Sequence, residues 1–137
     1  MTMVETVRAA VGVEAGARTS RWVRVCALDD LEIERGRAAL LRDTQIALFV
    51  LRGHDGAPGR VHAVSNLDPY SGAHVISRGI VGSRDDVPTV ASPMYKQVFD
   101  LRTGVCLDTQ GAEPRSLRVW PVAIDGDHVL VRWEDHR

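Results

Sequence analysis

The stretch that decides the fold runs from Ser65 to Leu101 and reads SNLDPYSGAHVISRGIVGSRDDVPTVASPMYKQVFDL. It contains two loops with a proline each, residues 66–73 (N-L-D-P-Y-S-G-A) and residues 92–97 (S-P-M-Y-K-Q). Short apolar runs of the kind that favour strands flank both loops. Both loops end in residues that suit a tight return of the chain, so the stretch predicts two turns between short strands.

The rest of the chain also carries strand signals. The run over 45–51 (Q-I-A-L-F-V-L) is nearly all apolar, which predicts a strand covered on both faces. Asp125-Gly126-Asp127 gives the clearest hairpin signal, and Pro121 places its strand at a sheet edge or a bulge. Strands are predicted over 22–28, 45–51, 61–64, 87–91, 98–101, 105–107, 117–124 and 128–133. The fold class is therefore all-β, an antiparallel sandwich or small barrel.

A chain of 137 residues is expected to form one domain. Residues 1–20 are rich in Ala, Gly and Val without a sustained period, so we expect a flexible N-terminal tail and a single folded domain over 21–137. Glu5 and Arg8 interrupt what would be the apolar core of a signal peptide, and no apolar run is long enough to span a membrane. These observations predict a cytoplasmic protein that does not contact a membrane.

Composition excludes several classes of function. The net charge of −1 lacks the basic footprint of a nucleic-acid-binding protein. The two cysteines, Cys26 and Cys106, are too few for a four-thiolate iron–sulfur or zinc site, and we interpret them as small buried residues in a reducing cytosol. None of the five histidines has metal-ligand spacing, and the chain has neither a nucleophile elbow nor a phosphate-binding loop. The sequence predicts no catalytic residues and no active site of its own.

The two loops and the segment after them resemble a Rieske [2Fe–2S] domain. In that family the first loop carries Cys-x-His followed by Gly-Ala, and the second carries Cys-Pro-x-His before Phe-Asp-Leu-x-Thr-Gly. Here Gly72-Ala73 end the first loop, Pro93 lies in the second, and residues 99–104 read F-D-L-R-T-G. The resemblance covers about residues 22–133. It implies a Rieske-like sandwich in which residues 66–104 form an insertion like the cluster-binding subdomain.

The cluster ligands themselves are replaced. Asp68 and Tyr70 stand where the first loop of the family has its Cys and His, and Ser92 and Tyr95 stand at the same two positions of the second loop. A Rieske cluster needs two thiolates on one iron and two imidazoles on the other. One carboxylate and three hydroxyls that are largely protonated at neutral pH are hard ligands that do not suit it. We therefore expect this chain to bind no cluster, no metal and no cofactor.

The replacements are themselves similar to those in one branch of the family, the small subunit of assimilatory NAD(P)H-dependent nitrite reductase. The similarity rests on N-x-D-P-x-S at 66–71, S-R-G-I-V-G at 77–82 and S-P-x-Y-K-Q-x-F-D-L at 92–101. It implies a small subunit without a redox centre. Its partner would be a large subunit that carries FAD, sirohaem and a [4Fe–4S] cluster. Together they would be an oxidoreductase that reduces nitrite to ammonium in nitrate and nitrite assimilation.

The two loops, which lack the cluster ligands, are candidates for docking on that large subunit. Tyrosine and methionine supply adaptable contact area of the kind enriched at interfaces, and Lys96 is the only lysine of the chain. The candidates are Asp68, Tyr70, Arg78, Met94, Tyr95 and Lys96.

Alternatives remain open for these residues and for the function. Tyr70 and Tyr95 could fill the cluster volume and form hydrogen bonds to the opposite loop or to Asp68, and Arg78 could be a structural clamp. The chain could also be a free-standing Rieske-like binding module, or a ferredoxin-type electron carrier that holds a cluster by unusual ligands.

Overall fold

The computed structural model describes residues 9–15, 18–53, 56 and 58–134. Two short 3-10 helices, Leu28–Asp30 and Ile76–Arg78, accompany the strands. No helix in this part of the chain is long and apolar enough to cross a bilayer. The strands are β1 Ala9–Ala15, β2 Arg18–Ala27, β3 Arg37–Leu41, β4 Thr44–Arg52, β5 Pro58–Ser65, β6 Ile80–Arg84, β7 Val87–Ala91, β8 Val98–Asp100, β9 Cys106–Asp108, β10 Val119–Trp120, β11 Val122–Asp125 and β12 His128–Glu134.

These strands form three antiparallel sheets. Sheet A has the order β1-β2-β12-β11, sheet B the order β10-β5-β4-β3, and sheet C the order β6-β7-β8-β9. The expected all-β antiparallel architecture is confirmed. Sheet C comprises residues 80–108, so the sheet that follows the first loop extends a few residues beyond the insertion expected over 66–104.

Strand β4 is shared by two hydrophobic cores. Its residues Ile46 and Leu48 pack with sheet A residues such as Val129 in the first core. Phe49 points the other way and packs with Phe99 of sheet C in the second core. The alternation follows from the period of two along a strand. The prediction that both faces of this apolar run are covered is confirmed, because sheet A covers one face and sheet C the other.

The C-terminal hairpin also agrees with the sequence. Asp125 pairs with His128 across Gly126-Asp127, so the expected hairpin is present and its turn has two residues. The strand expected over 117–124 is divided at Pro121. Residues before it pair with β5 in sheet B, and residues after it pair with β12 in sheet A. Proline lacks the N–H that a continuous ladder would need, so it lies where the chain passes from one sheet to the other.

Two strands of sheets B and C were not predicted. β3 is a short R-A-A-L-L segment with only two buried residues, Ala39 and Leu41. β6 is exposed along most of its length, so it lacks a regular apolar alternation. Both lie at sheet edges, where pairing on one side is sufficient and the sequence carries little hydrophobic signal.

The N-terminal segment differs from the expected flexible tail where the structure describes it. β1 pairs with β2, and β2 begins at Arg18 rather than near Trp22. The pairing is a backbone interaction along the edge of β2, and it leaves no period in an Ala-, Gly- and Val-rich sequence. The rest of the expected tail, residues 1–8 and 16–17, lies outside the described residues.

Gly104 offers a test of the turn that follows β8. Its φ is +82°, and a Cβ there would overlap the carbonyl oxygen of Leu117. We expect Gly104→Ala to lower the free energy of unfolding by about 2 kcal/mol or more, because the substitution adds a steric overlap to the strain of the positive φ. Urea unfolding followed by tryptophan fluorescence measures it.

Gly111→Ala is the matched control, because Gly111 has a φ of +87° and no atom within 4 Å of the added Cβ. Equal losses in the two variants would show that the close approach to Leu117 contributes nothing.

Candidate functional site

The first loop, residues 66–73, and the two residues after it connect β5 to the helix Ile76–Arg78. Its turn is closed by the N–H of Asp68, which donates to the carbonyl of Ala73 at 2.8 Å, and by the N–H of Gly72, which donates to the carbonyl of Asp68 at 2.8 Å. The buried side chain of Asn66 fixes the base of the loop. It donates to Oε1 of Gln45 at 3.1 Å and accepts from the N–H of Ser77 at 2.7 Å.

The second loop, residues 92–97, connects β7 to β8. The N–H of Ser92 donates to the carbonyl of Gln97 at 2.9 Å, and the N–H of Lys96 donates to the carbonyl of Ser92 at 3.1 Å. Lys96 adopts a φ of +67°, which reverses the chain. The hydroxyl of Ser92 also accepts from the N–H of Met94 at 3.1 Å. The loop is therefore closed by its own backbone and by one serine side chain.

Asp68 and Ser92 join the two loops. Oγ of Ser92 donates to Oδ2 of Asp68 at 2.6 Å, and the two residues are 0% and 2% exposed. The other carboxylate oxygen, Oδ1, accepts from the N–H of Tyr70 at 2.8 Å and from that of Ser71 at 3.4 Å. A short hydrogen bond to a carboxylate is among the stronger kinds, and a buried carboxyl group needs such partners. The two residues at the cysteine positions of the family thus form a direct link between the loops.

Tyr70 anchors the first loop to a distant segment of the chain. Its hydroxyl donates to the carbonyl of Glu113 at 2.8 Å and accepts from the N–H of Arg115 at 2.9 Å. Its ring lies 6.3 Å from the ring of Phe99 in the second core. Burial raises the pKa of Tyr70, and its contact with Cys106 raises it further, so the phenol is neutral at physiological pH. At this histidine position the side chain has a structural role.

The tip of the second loop is exposed. Met94 is 46% and Tyr95 is 56% exposed, and Lys96 and the preceding Pro93 are exposed as well. Arg78 is exposed at the end of the helix that follows the first loop. The apolar and cationic side chains needed for a docking surface are therefore accessible at this end of the domain.

The structure brings Asp68, Tyr70 and Ser92 together but assigns them tasks that differ from those expected. Asp68 is fully buried, so its inclusion among the docking candidates was wrong for a physical reason, namely that it presents no surface. The link between the loops is made by Asp68 and Ser92, whereas the alternative had assigned it to the tyrosines. Tyr70 is half-buried and forms its hydroxyl hydrogen bonds with residues 113–115.

Other residues of this site were not among the candidate site residues that the sequence suggested. Asn66, Arg115 and Cys106 all contact the loops, and Arg115 donates from Nη1 to the carbonyl of Pro69 at 3.0 Å. Asn66 is the first residue of the first loop, whereas Cys106 and Arg115 lie outside both loops. The contacts of Tyr70 with residues 113–115 span more than 40 positions, and no local pattern marks them.

The donor set does not fit a [2Fe–2S] cluster. The Asp68 carboxylate already accepts three hydrogen bonds, the Tyr70 hydroxyl is engaged, and Ser92 offers an alcohol. Cys26 lies in the other core, where burial raises the pKa of its thiol to about 11. Among the residues described, no group of three or more His, Cys, Asp or Glu side chains is placed to hold a metal ion. We therefore derive no electron transfer through this site.

Comparison with known protein families agrees with this geometry. The family model of the Rieske-like [2Fe–2S] domain matches residues 21–132. The chain belongs to this family.

Individual relatives are more specific. A crystallised protein from Mycobacterium tuberculosis, described as an NADH-dependent nitrite reductase small subunit, is 44% identical with a TM-score of 0.71, over 83% of this chain and 96% of that one. The nitrite reductase (NADH) small subunit of Escherichia coli K12 is 38% identical over 91 residues, 66% of this chain and 81% of that protein. The nitrite reductase [NAD(P)H] large subunit of Klebsiella oxytoca is 41% identical over 110 residues, 80% of this chain but only 11% of that protein.

Ser92→Ala tests the link between the loops. Removal of the hydroxyl leaves Oδ2 of buried Asp68 without its donor, so we expect the free energy of unfolding to fall by about 1–3 kcal/mol. Ser71→Ala is the control, because Ser71 likewise accepts a backbone hydrogen bond through its hydroxyl, from Ala73 at 3.2 Å, but has no bond to the other loop. Urea unfolding compares the two. A loss in Ser92→Ala no larger than in Ser71→Ala would contradict the assigned link.

Proposed function

We propose that this chain is the small, non-redox subunit of an assimilatory NAD(P)H-dependent nitrite reductase, the oxidoreductase that reduces nitrite to ammonium. The similarity to nitrite reductase small subunits, at 38% and 44% identity, supports the assignment. The catalytic centres then belong to the large subunit, which we expect to carry FAD, sirohaem and a [4Fe–4S] cluster. The small subunit contributes no residue to the chemistry of nitrite.

The bond between Asp68 and Ser92 is the observation that carries the non-redox part of this proposal. It joins the two residues that stand at cysteine positions, 2.6 Å apart in a buried setting. A carboxylate satisfied by hydroxyl and amide donors has no reason to take up a soft iron–sulfur centre. This argues against the alternative of an electron carrier with unusual ligands, because such a carrier would have to break the link that holds its loops.

The relative from Klebsiella oxytoca supports the choice of partner. In that protein, named a large subunit, a segment of 110 residues is 41% identical to this chain. A domain of this type can therefore be part of a large-subunit polypeptide. For the separate chain we infer one small subunit per large subunit, because the comparison matches one segment of that polypeptide.

The exposed tip of the second loop is the proposed contact with the large subunit. Met94 and Tyr95 supply apolar area, Lys96 supplies a charge, and Arg78 lies exposed on the connection between the loops. Tyrosine and methionine are enriched at protein interfaces, where one end of the side chain is buried and the rest adapts. The buried link beneath the tip holds these side chains in place before the partner arrives, which lowers the entropy cost of binding.

We place the complex in the cytoplasm. Cys26 and Cys106 are both free in the structure, and free thiols persist in a reducing compartment. The cytoplasm also supplies the NAD(P)H that the reaction oxidises.

Affinity purification of the tagged chain from its own organism, grown on nitrite as nitrogen source, tests the proposed function. We expect a large flavoprotein with sirohaem absorption to co-purify in a one-to-one ratio, while the isolated chain is colourless and free of iron. Quantitative protein staining, visible spectra and iron analysis measure these quantities. A colourless monomer without a partner would instead support the free-standing module, and stoichiometric iron in the isolated chain would support the electron carrier.

Replacement of Tyr95 and Lys96 together by alanine tests the proposed contact. We expect the affinity for the purified large subunit to fall about tenfold or more, because central aromatic residues dominate interface energies. Biolayer interferometry measures the dissociation constant. The control combines Ile124→Ala and Arg24→Ala, which remove an exposed apolar and an exposed cationic side chain from sheet A. Equal affinities for the two double variants would exclude the tip from the interface.

A further inference from the structure

The outer edge of sheet C is open along β6. This strand pairs with β7 alone among the described strands, and it is the terminal strand of its sheet. Arg84 pairs with Val87 across a two-residue turn, which makes this pair a hydrogen-bonded one. The alternation of an antiparallel ladder then directs the N–H and C=O groups of Val81 and Ser83 away from β7. Pro88 lies opposite Ser83, at a position where no ladder N–H is needed.

Two clefts are lined in part by β6. The first, of about 830 Å³, lies between residues 81–83 of β6 and the base of the β4–β5 hairpin at residues 51–53 and 59–60. A second cleft of about 470 Å³ shares Glu34 and Val81 with the first and extends to Arg78. We call these two connected clefts the β6 groove. Its volume suits an extended segment of chain better than a small ion.

Positive charge is concentrated in the β6 groove. Two acidic residues line it, Glu34 and Asp86, against five arginines. Two of these arginines are already paired with acids outside the lining, Arg35 with Glu32 at 3.5 Å and Arg102 with Asp100 at 3.0 Å, so the other three carry the local excess. The arginines are Arg35, Arg52, Arg60, Arg78 and Arg102.

The arginines differ in whether they already form an ion pair within the chain. Arg102 is held by Asp100, to which it donates from Nε at 3.1 Å and from Nη2 at 3.0 Å, so its guanidinium is fixed in orientation. Arg52 and Arg60 are exposed and form no ion pair within the described part of the chain. These two side chains are therefore available for a carboxylate on a ligand.

The pKa of His62 is affected by the same arginines. It is buried and lines the cleft together with Arg60 and Arg102. Burial lowers the pKa of His62 and the charges of Arg60 and Arg102 lower it further, while Asp100 acts in the opposite direction. The imidazole is thus neutral at physiological pH. Of the two cations beside it, Arg102 is paired with Asp100, whereas Arg60 forms no ion pair within the described part of the chain.

We propose that the β6 groove binds an extended acidic segment of the large subunit, which adds a strand to sheet C at β6 and directs carboxylates to Arg52 and Arg60. The proposal rests on the proposed function, since it takes the large subunit as the partner. Strand addition uses the outward peptide groups of Val81 and Ser83 for affinity, and the arginines select for acidic side chains. Ile80, which is 73% exposed at the start of β6, offers an apolar contact at the end of the same strand.

Two variants test the two components of this binding mode. Ser83→Pro removes an outward N–H without touching the β6–β7 ladder, because proline is tolerated at such an edge position. Arg60→Glu reverses one charge of the groove. The control for charge is Arg24→Glu, which reverses an exposed arginine on β2. Thermal melts establish that each variant is folded, and biolayer interferometry against the purified large subunit measures affinity in low and raised salt.

We expect Ser83→Pro and Arg60→Glu each to weaken binding about tenfold or more, with Arg24→Glu unchanged. Arg60→Glu should also lower the salt dependence of the affinity, because a screened charge pair has been removed. If both variants bind the large subunit as tightly as the wild-type chain does, this proposal is overturned and the proposed function is left intact. A folded wild-type chain that fails to bind the large subunit would overturn both. The third outcome is self-association: the measured mass of the chain doubles as its concentration rises, and Ser83→Pro restores the monomer mass. That result would assign the groove to a second copy of this chain and overturn the proposal.

Discussion

The two loops at the tip of the domain depend on the hydrogen bond between Ser92 and Asp68. The bond is 2.6 Å long and lies where both residues are buried, so water does not compete for either partner. Both amide donors to the other oxygen of Asp68 come from the first loop. The carboxylate is therefore satisfied only when the second loop is in place. The position of Met94, Tyr95 and Lys96 follows from this constraint, because the loop that carries them is fixed at its first residue.

The link would be of little use if the loops were not supported from below. Strand β4 provides that support, because Phe49 on one of its faces packs with Phe99 of β8, while Leu48 on the other packs with sheet A. Asn66 connects the first loop to Gln45 of the same strand. Both loops are thus supported by one central strand that is buried on both faces. The packing of the two cores therefore also holds the tip in place.

The sequence was sufficient for the features whose signals are local. The apolar run over 45–51 predicted a strand covered on both faces, and Asp125-Gly126-Asp127 predicted the hairpin turn. The positions Asp68, Tyr70, Ser92 and Tyr95 came from the resemblance to the Rieske frame and not from a local signal. The edge strands β1, β3 and β6 were missed because they contribute few side chains to a core, and pairing along one backbone edge leaves no period in the sequence.

The roles at the site were harder to predict because they depend on distant partners. Nothing near Tyr70 indicates that its hydroxyl contacts Glu113 and Arg115, which lie 43 and 45 residues away. The β6 groove likewise combines residues that lie far apart in the sequence, from Glu34 to Arg102. Composition described the charge of the whole molecule, whereas the fold determines which arginines share a surface.

Amide hydrogen exchange of the iron-free chain tests the central claim most directly, because the N–H groups of Tyr70 and Met94 donate to Oδ1 of Asp68 and to Oγ of Ser92. If these two side chains hold the loops together without a metal, both amides are protected from exchange in a preparation stripped of iron. Exchange at the rate of an unstructured peptide, with protection appearing only after iron and sulfide are supplied, would contradict the account.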